Sequence, residues 1–161
     1  MHHDGRAHHT VEPISPEQAQ HLMAQSRELQ ASLYPATSIH QVDDEKLATS
    51  PNVLLGAFSA SSPDTAVGCV GLLLEGQEPG TAEVKSLFVM QKLRGQGIGN
   101  TLMDTLEQRA LGSGITLLRL ETGIYQPESL RLYAARGYQV VPRFGEYPED
   151  PLSVFMHKTL P

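Results

Sequence analysis

Only one cysteine, Cys69, stands in the whole chain. No intramolecular disulfide can form, and a four-thiolate zinc site is excluded. Long apolar runs are also missing. The longest, Ala66 to Leu74, has nine residues, two of them glycine, against the roughly 20 that crossing a bilayer demands. The opening stretch, MHHDGRAHH, lacks the apolar segment of a secretory signal. Basic residues are scarce, with twelve Lys and Arg against eighteen Asp and Glu and a net charge of −6. That balance argues against a dedicated nucleic-acid binder and would suit a cationic substrate. There is no internal repeat and no low-complexity linker. Secreted disulfide scaffolds, membrane proteins and collagen-like chains are excluded on these grounds. The expectation is a cytoplasmic protein that binds neither nucleic acid nor membrane.

What is present suffices for one domain: 161 residues, 40% of them apolar, enough to bury a core at this length. The first ten residues are polar and carry His2, His3, His8 and His9. No acidic or thiol framework surrounds these histidines beyond Asp4, so no metal is expected. Residues 1–10 read as a disordered His-rich tail and 11–161 as the domain.

The first helix is well marked. Ser15 can cap it, Pro16 suits its first position and Gln18 completes a capping box. Leu22, Leu29 and Leu33 recur at helical spacing until Pro35 stops them. A short helix capped by Asp43 is predicted up to Ala48. Val53–Ala60 and Ala66–Glu75 read as antiparallel neighbours, with Thr81–Val89 as a third strand of a meander. The pattern then changes. Ile98, Leu102, Leu106 and Ala110 mark one face of a helix, Leu117–Glu121 a strand, Pro127–Arg136 a helix, Tyr138–Val141 a strand and Leu152–Lys158 the last strand. Alternating strand and helix requires a crossover and locally parallel strands. The fold class is α/β (α+β), a single mixed sheet with helices on its faces.

The most informative segment is Arg94-Gly95-Gln96-Gly97-Ile98-Gly99-Asn100, between a strand and a helix. Glycines let several backbone N–H groups converge, and the helix start adds partial positive charge, so the segment suits a phosphate. A Walker loop would need Gly-Lys-Ser/Thr, and Gly99 is followed by Asn100 and Thr101. A Rossmann fingerprint would need a third glycine at position 100. Both nucleotide readings fail.

Arg94-x-x-Gly97-x-Gly99 resembles the pyrophosphate loop of the GCN5-related N-acetyltransferases (GNAT). Glu83–Val89 before it looks like that family's fourth strand, and Leu132-Tyr133-Ala134-Ala135-Arg136-Gly137-Tyr138 is similar to its Leu-Tyr-x-x-x-Gly-Phe/Tyr signature. The chain resembles a subfamily of small bacterial acetyltransferases at Tyr34-Pro35, Glu121-Thr122-Gly123, Gln126-Pro127-Glu128 and Phe144-Gly145-x-Tyr147, ahead of Pro151-Leu152-Ser153-Val154. The resemblance implies a mostly antiparallel sheet of six or seven strands with a splayed parallel pair at its centre. It implies an N-acetyltransferase that moves acetyl from acetyl-CoA directly to a primary amine in a ternary complex. The acceptor would be a small molecule or a protein amine. Homodimers are common in the family.

By position, the resemblance assigns Leu87, Phe88 and Val89 to pantetheine contact, with the Val89 N–H as oxyanion donor. It assigns Arg94, Gly95, Gln96, Gly97, Ile98, Gly99 and Asn100 to the pyrophosphate. Gln126 stands where the family often has Asn, and Tyr133 matches the tyrosine that meets the CoA sulfur as general acid. Glu83, eleven residues before Arg94, is the candidate base, and Glu121 is its rival. Tyr34, Glu121, Phe144 and Tyr147 are candidates to line the acceptor pocket. A non-catalytic acyl-CoA-binding or sensor module is the alternative, needing neither acid nor base.

Overall fold

The computed structural model describes residues 8–161. Residues 1–7, which hold most of the expected tail, lie outside the described residues. The remainder of that segment is partly ordered structure: a strand, β1 (His9–Pro13), takes up His9 and Thr10 and pairs with the next strand.

Helix α1 (Pro16–Leu33) starts as its sequence dictates. Ser15 Oγ accepts from the Gln18 N–H at 3.2 Å, and Gln18 Oε1 accepts from the Ser15 N–H at 3.0 Å. A four-residue helix, α2 (Asp44–Leu47), is capped by Asp43. The strands β2 (Val53–Ser59), β3 (Gly68–Leu73) and β4 (Thr81–Val89) form the meander. Then come α3 (Ile98–Gly112), β5 (Leu117–Gly123), α4 (Pro127–Ala135), β6 (Gln139–Val141) and β7 (Ser153–Thr159).

One seven-stranded sheet results, in the order β1-β2-β3-β4-β5-β7-β6. Every neighbouring pair is antiparallel except β4 and β5. Strand alternation sends Leu55, Val70, Val84, Leu118 and Leu120 to one face, beneath Ile98, Leu102 and Leu106 of α3. Leu54, Cys69, Leu73 and Phe88 go to the other face, under Leu22 of α1 and Leu47 of α2. Cys69 is fully buried, and burial pushes its thiol up to about 12, so it is an inert core residue.

Two features of β4 create the site. The parallel pairing with β5 covers only Thr81–Leu117, Ala82–Leu118 and Glu83–Arg119. Past that point the strands part, β4 running to Val89 and β5 to Gly123. Along its other edge β4 slips register against β3: Gly71 faces Lys85, whereas Cys69 faces Phe88. Ser86 and Leu87 therefore share Val70 as their opposite number, a β-bulge, and Ser86 adopts φ +59°. A bulge bends its strand and re-aims its side chains, which suits the edge of a cleft.

Candidate active site

The parted strands open into a cleft of about 910 Å³. Leu87, Phe88 and Val89 line one wall, residues 94–100 close one end, and Gln126 stands on the opposite side with the start of α4. Every residue assigned by position to the pantetheine and pyrophosphate, apart from Tyr133, faces this one space.

The glycine loop turns tightly into the start of α3. Gly95 and Gly97 take φ of +80° and +85°, a left-handed conformation that costs a residue with a Cβ roughly 1–2 kcal/mol. Gly97 is the N-cap of α3, and the first helical bond is Thr101 N–H to Gly97 O at 3.0 Å. The N–H groups of Ile98, Gly99 and Asn100 precede that bond and have no partner within the helix. Gly99 serves another purpose: a Cβ there would lie 2.9 Å from Leu132 Cδ1, so its absence lets α4 pack closely on the first turn of α3. Arg94 folds back over β4. Its Nε donates to Val89 O at 3.1 Å and its guanidinium lies 5.5 Å from the Phe88 ring centre.

At the end of β4, Met90 N–H donates to Val67 O at 3.0 Å. Successive N–H groups of a strand point in opposite directions, so the Val89 N–H turns away from β3, toward the side from which β5 has withdrawn.

A second cavity, about 80 Å³, adjoins the cleft and shares Gln30, Leu87, Gln126 and Ser129 with it. Tyr34, His40, Lys85, Glu121 and Tyr133 line this smaller space. Tyr133 is buried, which raises its phenol well above the ordinary value, and its ring meets Tyr138 edge-on at 5.5 Å. The Glu121 carboxyl is also raised, chiefly by burial. Its hydrogen bond from Ser153 Oγ (2.7 Å) and the nearby His40 and Lys85 oppose that rise, while Glu83 adds to it. His40 Nε2 is buried without a hydrogen-bond partner. The Tyr34 hydroxyl accepts from the Tyr125 N–H at 3.0 Å and donates to Gln126 Oε1 at 3.4 Å, so it ties the end of α1 to the turn that carries Gln126.

Glu83 lies elsewhere. Its carboxylate is engaged by Lys85 Nζ at 3.2 Å and by the Tyr147 hydroxyl, and it lines neither cavity. Phe144 and Tyr147 also stand behind the small cavity. They pack edge-on against Phe155 at 5.4 and 5.5 Å, and Arg119 lies over the Phe144 ring at 4.5 Å. The structure thus gathers Tyr34, Glu121, Gln126 and Tyr133 around one space and leaves Glu83, Phe144 and Tyr147 in its supporting wall. His40 was missed by sequence reasoning and carries no local motif, whereas Ser153 stood in the Pro151-Leu152-Ser153-Val154 run without being singled out as a site residue. Among the described residues, no group of three His, Cys, Asp or Glu side chains is arranged to hold a metal. No helix among them is long and apolar enough to cross a membrane.

Residues 20–138 match the family model described as Acetyltransferase (GNAT) family. An IAA acetyltransferase of Azospirillum brasilense is 40% identical over 128 residues, covering 80% of this chain and 81% of that protein. A crystal structure described as an acyl-CoA N-acyltransferase of Klebsiella pneumoniae subsp. pneumoniae MGH 78578 superposes with a TM-score of 0.77 at 33% identity, over 94% of this chain and 97% of that one. The PaiA N-acetyltransferase of Thermoplasma acidophilum, solved in complex with coenzyme A, shares the fold at a TM-score of 0.69 and 18% identity, over 95% and 99% of the two chains.

Proposed function

The chain belongs to the GNAT family of acetyltransferases, and we propose that it transfers acetyl from acetyl-CoA directly to a primary amine held in the same complex. One observation carries this reading. The gap between β4 and β5 joins an anion-binding glycine loop at one end to a small polar cavity, with a carboxyl and a phenol, at the other. A long donor with a pyrophosphate in its middle and a thioester at its tip fits such a space. The acceptor would enter the small cavity.

The transfer forms a C–N bond and breaks the C–S bond. An ammonium with pKa about 10 must first lose a proton, and the departing thiolate must gain one. Glu121 is the base in this reading. It lines the cavity, and burial brings its carboxyl closer to the neutral range in which a base is most effective. Glu83 is less suited, because Lys85 and Tyr147 already occupy its carboxylate. The Val89 N–H is the donor toward the thioester oxygen, a fixed dipole aimed at the place where negative charge develops. Tyr133 hands its proton to the sulfur and is reprotonated from solvent. The burial that raises its phenol would also raise the basicity of a thiolate formed beside it, so the transfer stays matched.

The test is thiol release from acetyl-CoA across a panel of small primary amines, amino acids and peptide amines. Release of CoA with one class of amine, and formation of its N-acetyl product, is the expected result. CoA binding without release for any amine would favour the acyl-CoA sensor instead.

A further inference from the structure

A guanidinium outside both cavities ties the glycine loop to the tyrosine at the thioester end. Arg136, the residue that ends α4, directs its side chain along α3. Its Nη1 reaches Asn100 Oδ1 at 3.1 Å, its Nη2 reaches Asp104 Oδ1 at 2.8 Å and Glu107 Oε2 at 2.6 Å, and its Nε reaches Glu107 Oε2 at 3.1 Å. Asn100, Asp104 and Glu107 lie one and then two turns apart on a single face of the helix. Glu107 is only 7% exposed, and Lys158 of β7 takes its other oxygen. Asn100 faces the cleft. Tyr133 stands one turn before Arg136 on α4, whose Leu132 occupies the space that Gly99 leaves open.

We infer that Arg136 is a positioning residue that sets the separation between the pyrophosphate-binding turn and Tyr133. The inference rests on the reading under Proposed function. Helix α4 meets the first turn of α3 at two points, the Leu132–Gly99 contact and the Arg136–Asn100 hydrogen bond. The apolar contact alone lets the helices slide, whereas a planar fork bonded to three residues along α3 fixes both distance and register. A donor anchored at the glycine loop then presents its sulfur at a constant place relative to the phenol. Lysine could keep the charge at Glu107 but could not reach Asn100 and Asp104 at the same time.

The test compares CoA with pantetheine, which lacks the pyrophosphate, as ligands of wild type, R136Q and R136K. R136Q should weaken CoA about tenfold, leave pantetheine within twofold of wild type, and shift the amide NMR signals of Ile98 and Gly99. R136K should recover only part of the loss. A triple variant, E107M/R136M/K158M, replaces all three charges of the buried cluster by apolar side chains and should lose CoA affinity to the same extent while keeping a cooperative thermal transition, which guards against a failure to fold. CoA binding within twofold of wild type in the folded variants would overturn the inference, as would equal losses for CoA and pantetheine. A wild type that binds no CoA would instead overturn the acetyl-CoA reading, and this inference with it.

Discussion

The phenol of Tyr147 donates to the carboxylate of Glu83 across 64 residues of sequence while accepting from Lys85 Nζ at 2.6 Å. Lys85 completes the knot with bonds to Glu83 at 3.2 Å and to the His40 carbonyl at 3.3 Å. These partly buried groups satisfy one another and fasten the loop between β6 and β7 onto β4. Glu83 is therefore an anchor. Tyr147→Phe should leave Glu83 and Lys85 short of a partner at a cost of about 1–3 kcal/mol. It should also speed tryptic cleavage after Arg143, which now donates to the Tyr147 carbonyl at 2.8 Å. CoA affinity should not change. Unaltered cleavage kinetics and stability would show that the loop is seated by its aromatic packing alone.

Glu121 makes a prediction with two signs. Its carboxyl is raised in the folded state, so the stability that its neutral form contributes is complete below about 4.5 and is lost as pH climbs through the raised value. Glu121→Gln should therefore melt higher than wild type at pH 8 and level with it at pH 4, since glutamine can still accept from Ser153. Activity should move the other way, with kcat/KM down by about 100-fold and the rise with pH through the carboxyl's range gone. A variant that keeps both the rate and the pH profile returns the role of base to another group.

Removing one oxygen tests the acid. Tyr133→Phe keeps the ring that packs against Tyr138 and should preserve the fold and CoA affinity within twofold. The loss of proton donation should lower kcat by about 100-fold or more. Burial holds the phenol above its ordinary value, so the wild-type rate should show no alkaline fall assignable to this group up to pH 10. Undiminished kcat in the variant would remove Tyr133 from the chemistry.

The two kinds of glycine in the loop should respond differently to alanine. Gly97→Ala meets a backbone at φ +85°, costs about 1–2 kcal/mol and should raise the Kd for CoA at least tenfold. Gly99→Ala meets only the end of a leucine side chain at 2.9 Å, which can rotate, so about threefold is expected. Isothermal titration of CoA into both variants ranks them, and the reverse order would contradict the loop geometry.

Local signals announced most of the fold. The Ser15–Gln18 box, the four-residue spacing from Ile98 to Ala110 and the short apolar runs of β2 to β5 are local patterns, and the structure follows them. Strand β1 escaped notice because it lies at the sheet edge, largely polar and among histidines, where Val11 is its only aliphatic residue and β2 supplies its partner. The bulge at Ser86 had no glycine to mark it. The glycine loop was legible as a tight turn into α3 because its glycines and the helix start are contiguous in sequence. That Glu121 lines the small cavity while Glu83 does not was hidden, because it depends on Tyr147, His40 and Ser153, which arrive from three separate segments. Arg136 sat inside a recognised signature, but its partners on α3 are visible only once the helices pack.

In the proposed function the cleft holds acetyl-CoA through the glycine loop. A thermal-shift titration with acetyl-CoA, CoA, NAD and ATP side by side tests it most directly. At a hundred times its Kd, a ligand adds about 2.7 kcal/mol, or roughly 5–10 °C for a domain of this size. That rise is expected with acetyl-CoA and CoA, and none with NAD or ATP. No rise with CoA, or a larger one with NAD or ATP, would contradict it.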